Sequence, residues 1–203
     1  MARCRALQPA EFQAIMSAFH GRCAERDKAL FATGTNTGLR VKELCALTFG
    51  DVLSAGEIKN VLTLSRSKTK GRTAAREIPL NNTAREHLAR AVLFRQRRGC
   101  FALNTPVFGI GPVRAYQAIK AAVRAAGLSD AGGVIGTHTM RKTFANDVHR
   151  FFLNQLREGN VVDPLLETSR ALGHATVQNT VAYLPASAER TRTAIFALEE
   201  SFS

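Results

Sequence analysis

The spacing of apolar residues along this chain changes period several times, and the changes divide it into elements. In PAEFQAIMSAFH, Phe12, Ile15, Met16 and Phe19 recur at helical spacing behind Pro9, which predicts an opening helix. AERDKALFATGTNTG predicts a second helix ending near Gly38. LRVKELCALTF follows directly as a short helix with Leu39, Leu44 and Leu47 on its inner side. The period then drops to two: NVLTLSR and AREIPL are short extended runs, and the basic turn SKTKGRT with its central glycine joins them into a hairpin. Helical patterns resume in NTAREHLARAVLFRQRR, in GPVRAYQAIKAAVRAAG with Gly127 as its C-cap, and in HTMRKTFANDVHRFFLNQLREG, ended by the glycine after Glu158. DPLLETSRALG, ATVQNTVAYL and ASAERTRTAIFALEES predict three shorter helices.

The sum is a mainly α chain with one small antiparallel β-sheet, an α+β fold. With no internal repeat or linker, residues 1–203 read as one domain. Residues 1–6 form a lead, and residues 186–203 a C-terminal helix or tail with Ala188, Ile195, Phe196 and Leu198 available for an apolar stripe. That tail either folds back on its own domain or docks on a neighbouring protomer.

Charge narrows the function. The 28 Lys and Arg against 16 Asp and Glu leave a formal charge of +12, and 21 of the 28 basic residues are Arg. A polyanionic partner is implied, and planar guanidinium forks that grip phosphate oxygens two at a time favour nucleic acid over a membrane surface. No apolar run approaches the roughly 20 residues needed to span a bilayer. MARCRALQPAEF lacks a signal peptide's apolar core, so a cytoplasmic location is expected. Cys4, Cys23, Cys45 and Cys100 show no C-x-x-C spacing, so they read as reduced, structural thiols rather than zinc ligands or disulfides.

Four stretches carry possible chemistry. TGLRVKEL sets Arg40 just after a glycine, though Glu43 could serve merely as its i,i+3 partner. The hairpin tip SKTKGR offers Lys68, Lys70 and Arg72, either as a solvated turn or as a finger for DNA. GTHTMRKTFAND puts His138 and Arg141 on one helical face, where both can donate to phosphate oxygens. LGHATVQNTVAYLP adds His174 and, nine residues on, Tyr183, one of only two tyrosines in the chain. Taken singly, each of these has an ordinary structural explanation; a tyrosine in a short amphipathic helix is usually core.

Together, in the order Arg40, Lys68, His138, Arg141, His174, Tyr183, they resemble the active site of the tyrosine recombinase (phage integrase) family, over about residues 7 to 200. The resemblance implies that family's catalytic-domain fold and site-specific strand exchange. Tyr183 attacks a DNA phosphodiester to form a 3′-phosphotyrosyl link and release a 5′-hydroxyl, which a partner strand's 5′-hydroxyl later reverses. It implies further that Arg40 and Arg141 clamp the non-bridging oxygens, that His138 acts as base or phosphate donor, and that His174 hydrogen-bonds the phosphate. Lys68, preferred over Lys70 because it comes first after the strand, protonates the departing oxygen. No cofactor or metal is implied; Lys70, Arg72 and Lys142 are further DNA contacts, Lys142 standing where many relatives have His. The implied partners are double-stranded DNA with inverted-repeat sites and, on that DNA, three further copies of the chain, with a monomer open to the free form.

Most of that family carry a separate helical domain ahead of the catalytic one, and here about a dozen residues precede the first catalytic-domain helix. Either the chain is a fragment or it resembles the short fimbrial-switch invertases. Two competing readings are a non-cleaving DNA-binding regulator of the same fold and a type IB topoisomerase-like enzyme that relaxes supercoils. The regulator has no need to keep Tyr183 and both arginines.

Overall fold

A computed structural model describes residues 4–64, 75–130, 132–174, 176–181 and 183–184. Helix α2 (Ala24–Thr37) runs through the centre, buried almost continuously from Ala29 to Thr37. Its buried threonines are tolerated because their hydroxyls return to the helix: Thr35 Oγ1 donates to the Phe31 carbonyl at 3.1 Å and Thr37 Oγ1 to the Thr33 carbonyl at 2.7 Å. Around it pack α1 (Pro9–Ala18), α5 (Asn82–Gln96), α6 (Pro112–Ala125) and α7 (Thr137–Arg157). Gly34 permits the close approach of α7, since Met140 fills the space a Cβ there would need. Phe12, Ile15, Met16 and Phe19 all face the core from α1, as their spacing predicts, and Phe12 stacks on Phe31 with ring centroids 5.7 Å apart.

LRVKELCALTF departs from the single helix its pattern predicts. Helix α3 (Val41–Cys45) ends, and a second helical turn, α4 (Phe49–Val52), restarts after Thr48. Backbone pairing with a distant loop breaks the run: Val107 N–H donates to the Leu47 carbonyl at 2.8 Å, and Phe49 N–H to the Thr105 carbonyl at 2.9 Å. Asp51 then caps α4, accepting from both the Thr48 amide and hydroxyl at 2.7 Å. Leu39, Leu44 and Leu47 are nonetheless fully buried.

The predicted hairpin is present as β3 (Val61–Leu64) against β4 (Arg76–Pro79), antiparallel with Leu62 opposite Ile78 and Leu64 opposite Arg76. Leu62, Leu64 and Ile78 face inward, alternating with exposed neighbours. Its tip, with Lys68, Lys70 and Arg72, lies outside the described residues. A second small hairpin was not expected: β1 (Leu53–Ser54) pairs with β2 (Glu57–Ile58) through Ala55 and Gly56, both at positive φ. Two left-handed residues make a primed turn matching the strand twist, and alanine in the first position hides the usual Asn-Gly signal.

Helix α8 (Pro164–Leu172) begins at Asp163, whose carboxylate accepts from the Leu165 and Leu166 amides, and stops at Gly173 in the left-handed region. Of the helix that ATVQNTVAYL predicts, the described residues form the short α9 (Gln178–Val181). The helix expected at residues 186–201 lies outside the described residues. All four cysteines are free thiols, partly buried. Among the described residues no helix is long and apolar enough to cross a membrane, and no group of three or more His, Cys, Asp or Glu side chains could hold a metal ion.

Candidate active site

Arg141 projects from the second turn of α7 into the interior and is 1% exposed, the largest fully buried side chain described. Its fork spans three elements. Nη1 donates to the Gly38 carbonyl at the end of α2, while Nη2 donates to the Leu172 carbonyl at the end of α8 at 3.0 Å and faces His174 Nε2 at 2.8 Å. Both carbonyls sit at helix C-termini, where orphan acceptors and the negative dipole end favour a cation. Gly38 and Gly173 make these ends available by turning the chain left-handed at φ 63° and 60°. The Nε–H remains without a partner among the described residues.

His174 follows Gly173 directly, and its ring is pinned on the other side by Thr180 Oγ1, 2.8 Å from Nδ1. Tyr183 lies against both groups. Its ring centroid is 5.5 Å from that of His174, tilted 34°, and 5.6 Å from the Arg141 guanidinium carbon. The tyrosine backbone is held by its own turn, with its amide donating to the Thr180 carbonyl at 2.9 Å.

Arg40 caps α3 beside this cluster. Its backbone amide donates to Glu43 Oε2 at 2.8 Å, and Nη1 donates to Oε1 at 3.1 Å; the Arg40 side chain is 41% exposed and that of Glu43 5%. A buried carboxylate therefore aims a half-exposed guanidinium. Burial, then repulsion from Arg40, lowers Arg141 below the ordinary arginine range, while Tyr183 and Glu43 pull it back up. Two cations close enough to repel make a field suited to a phosphodiester anion and to a phenolate.

The structure thus brings together Arg40, Arg141, His174 and Tyr183. His138 stands in the first turn of α7, three residues before Arg141, exposed and making no hydrogen bond to another described residue. Lys142 is turned the other way, its ammonium donating to the Cys4 carbonyl at 3.1 Å, which fastens α7 to the N-terminal lead. Lys68, Lys70 and Arg72 lie outside the described residues.

Sequence reasoning missed Thr180 and the carbonyls of Gly38 and Leu172. It also missed Arg76, buried on β4, whose Nη2 donates to the Ala171 carbonyl and ties the hairpin to the end of α8. A buried arginine in a strand facing apolar neighbours is a sequence-level signal; a backbone carbonyl carries none.

Comparison with known proteins points one way. The family model described as "Phage integrase family" matches residues 5–190. A probable integrase/recombinase of Bacillus subtilis (strain 168), YoeC, is 27% identical over 171 residues, 84% of this chain and 83% of that protein. The tyrosine recombinase XerC of Thermodesulfovibrio yellowstonii (strain ATCC 51303 / DSM 11347 / YP87) is 28% identical over 169 residues, 78% of this chain, but this covers 50% of that protein's length. Among solved structures, the XerH site-specific recombinase in a post-cleavage complex with a palindromic difH substrate superposes with a TM-score of 0.65 at 18% identity. That match covers 98% of this chain and 54% of that one.

Proposed function

The chain belongs to the phage integrase family, and from this we propose that it is a site-specific DNA recombinase or integrase. It cleaves and rejoins strands by transesterification through a covalent 3′-phosphotyrosyl intermediate. The observation that carries the reading is the meeting of Arg141, His174 and Tyr183 from two different parts of the chain around one buried guanidinium.

In this reading the phenolic oxygen of Tyr183 attacks phosphorus and the bond to the 5′-oxygen breaks. A phenol with a reference pKa of about 10 needs cationic neighbours to react at neutral pH, and Arg141 and Arg40 supply them. The same two guanidiniums take the non-bridging oxygens. His138 receives the phenolic proton or donates to the phosphate, His174 holds the phosphate, and Lys68 returns a proton to the leaving 5′-oxygen. Rejoining runs the same steps backward with a partner strand's 5′-hydroxyl. No external energy source is required, because the phosphotyrosyl bond keeps the energy of the bond it replaced.

The partners are double-stranded DNA carrying inverted-repeat sites and further copies of the chain, four around two sites. Residues 1–203 act as the catalytic domain, with 186–203 the segment available for contact between copies. Lys70, Arg72 and Lys142 are auxiliary phosphate contacts; for Lys142 this requires release from the Cys4 carbonyl. The protein's site of action is the cytoplasm.

The test is a nicked suicide duplex drawn from sequence flanking the gene, followed by denaturing electrophoresis. A denaturant-resistant adduct with wild type and none with Tyr183→Phe is expected. An adduct that survives Tyr183→Phe overturns the nucleophile, and no adduct from wild type on any flanking site overturns the cleaving reading.

A further inference from the structure

The last four carbonyls of a helix find no donor inside it, and each needs one from elsewhere. At the end of α8 all four are supplied. Two are closed by the chain's own turn, the Gly173 amide donating to the Arg170 carbonyl at 2.8 Å and the His174 amide to the Ser169 carbonyl at 3.0 Å. The other two are taken by arginines from different elements. Arg141 of α7 donates to the Leu172 carbonyl at 3.0 Å, and Arg76 of β4 donates to the Ala171 carbonyl.

Arg76 occupies an expensive place. The inward positions of β4 are Arg76 and Ile78, which stand opposite Leu64 and Leu62 of β3. A guanidinium in that row, 9% exposed, is costly to bury, and Met would fill the row without the charge. Among the described residues the other buried arginine is Arg141, so both buried guanidiniums converge on adjacent carbonyls at one helix end. Gly173 and His174 follow that end directly. Arg141 can meet the Leu172 carbonyl at 3.0 Å and His174 Nε2 at 2.8 Å together only while α8 ends at one height along α7. Arg76 adds a second tie, one residue earlier, from the sheet.

We propose that Arg76 is a positioning residue for strand cleavage: it holds the Ala171 carbonyl to β4 and thereby keeps the Leu172 carbonyl and His174 where Arg141 reaches them. This role rests on the recombinase reading above, since the tie bears on the reaction through Arg141 and His174. Met at position 76 keeps the apolar stem and loses the donors, and Lys keeps a donor on a stem of similar reach. Gln is polar but too short to reach.

The experiment compares wild type, Arg76→Met and Arg76→Lys, with Arg76→Gln taking the place of the Met variant if that one does not fold. Single-turnover adduct formation at saturating nicked duplex is measured beside affinity for the same duplex, alone and in the His174→Gln background. Amide hydrogen exchange at the end of α8 is followed in DNA-free protein. In Arg76→Met the cleavage rate is expected to fall about tenfold at unchanged affinity, the scale of one hydrogen bond. In the His174→Gln background the same substitution should cost about twofold or less, because the two residues act through one helix end. Exchange at that end should quicken in Arg76→Met, and Arg76→Lys should restore most of both rate and protection. A Met variant that cleaves at the wild-type rate overturns the proposal, as does an equal loss with and without His174, which marks a merely structural arginine. Unchanged exchange at the end of α8 overturns it too. If wild type forms no adduct, the recombinase reading fails; exchange in the same samples still decides whether Arg76 holds the end of α8.

Discussion

The ring of Phe144 stands where a Cβ on Gly38 would have to go. The carbonyl of that glycine also receives Arg141, and its φ of 63° is one that a side chain adopts only under strain. Gly38 is therefore fixed by backbone conformation, by packing and by the arginine at once. Gly38→Ala is expected to cost about 2–4 kcal/mol, combining left-handed strain with overpacking against an aromatic ring. Urea unfolding checks it, with a lower midpoint at unchanged slope.

Arg141 reaches three acceptors on two segments with one planar fork, and an ammonium on a flexible stem has no such span. Arg141→Lys is expected to lower adduct formation by about 100-fold or more. It should also cost about 1–3 kcal/mol in stability, because buried carbonyls lose their donor. A variant that cleaves DNA within a few-fold of wild type would remove Arg141 from the reaction.

Much of this was legible in the sequence, for local reasons. Phe12, Ile15, Met16 and Phe19 keep helical spacing because α1 has one core-facing stripe, and Leu62, Leu64 and Ile78 alternate because the hairpin buries one face. Arg40, Arg141, His174 and Tyr183 were found because their order and spacing resemble a known set. What was not legible depends on distant partners. The break between α3 and α4 comes from pairing with residues 105–107, which no local window contains. Thr180 carries no signal of its own in the sequence, and its contact with the His174 ring exists only once the chain is folded. Glu43 was visible as a partner for Arg40, but not that it would be buried while the arginine stays half-exposed.

With a formal charge of +12, DNA affinity is expected to be steeply salt-dependent. A protein contacting roughly 6–10 phosphates loses about a thousandfold or more between 50 and 200 mM salt. Fluorescence anisotropy with a labelled duplex should show log Kd rising linearly with log salt concentration, and Arg40→Ala should lower that slope by about 1. A slope near zero would mean that phosphate contacts do not drive binding.

Cys45 lies against the core, and burial pushes its thiol up to about 11. At pH 8 only about 0.1% of such a thiol is ionised, against about a quarter for an ordinary one near 8.5. The thiolates of high-pKa thiols are intrinsically more nucleophilic, which offsets part of this. Alkylation of Cys45 by iodoacetamide is therefore expected to be at least about tenfold slower than for a free cysteine. Peptide mass mapping of a time course reads this directly, and labelling at the free-thiol rate would show that the α3 region opens readily.

His87 on α5 gives the fold its own pH response near neutrality. Its Nδ1 is buried without a partner among the described residues. Burial first, then Arg90 and Lys28, lowers its pKa against the opposing pull of Glu86 and Glu25. The folded protein therefore takes up a proton at this ring less readily than the unfolded chain, which does so around 6.5. Stability contributed by the neutral ring is fully present above that value and is lost as pH falls through it toward the lower folded pKa. Asp27 and Asp147, both raised chiefly by burial, act with the opposite sign, gaining stability as the pH drops through their own lower range. The comparison that isolates His87 is thermal unfolding of wild type and His87→Gln at intervals from pH 5 to 8. Wild type should lose Tm relative to the variant as the pH falls through about 6.5 and below, with a constant difference well above it. Parallel curves across the whole range would show that His87 titrates alike in the folded and unfolded chains, so that its burial carries no charge penalty.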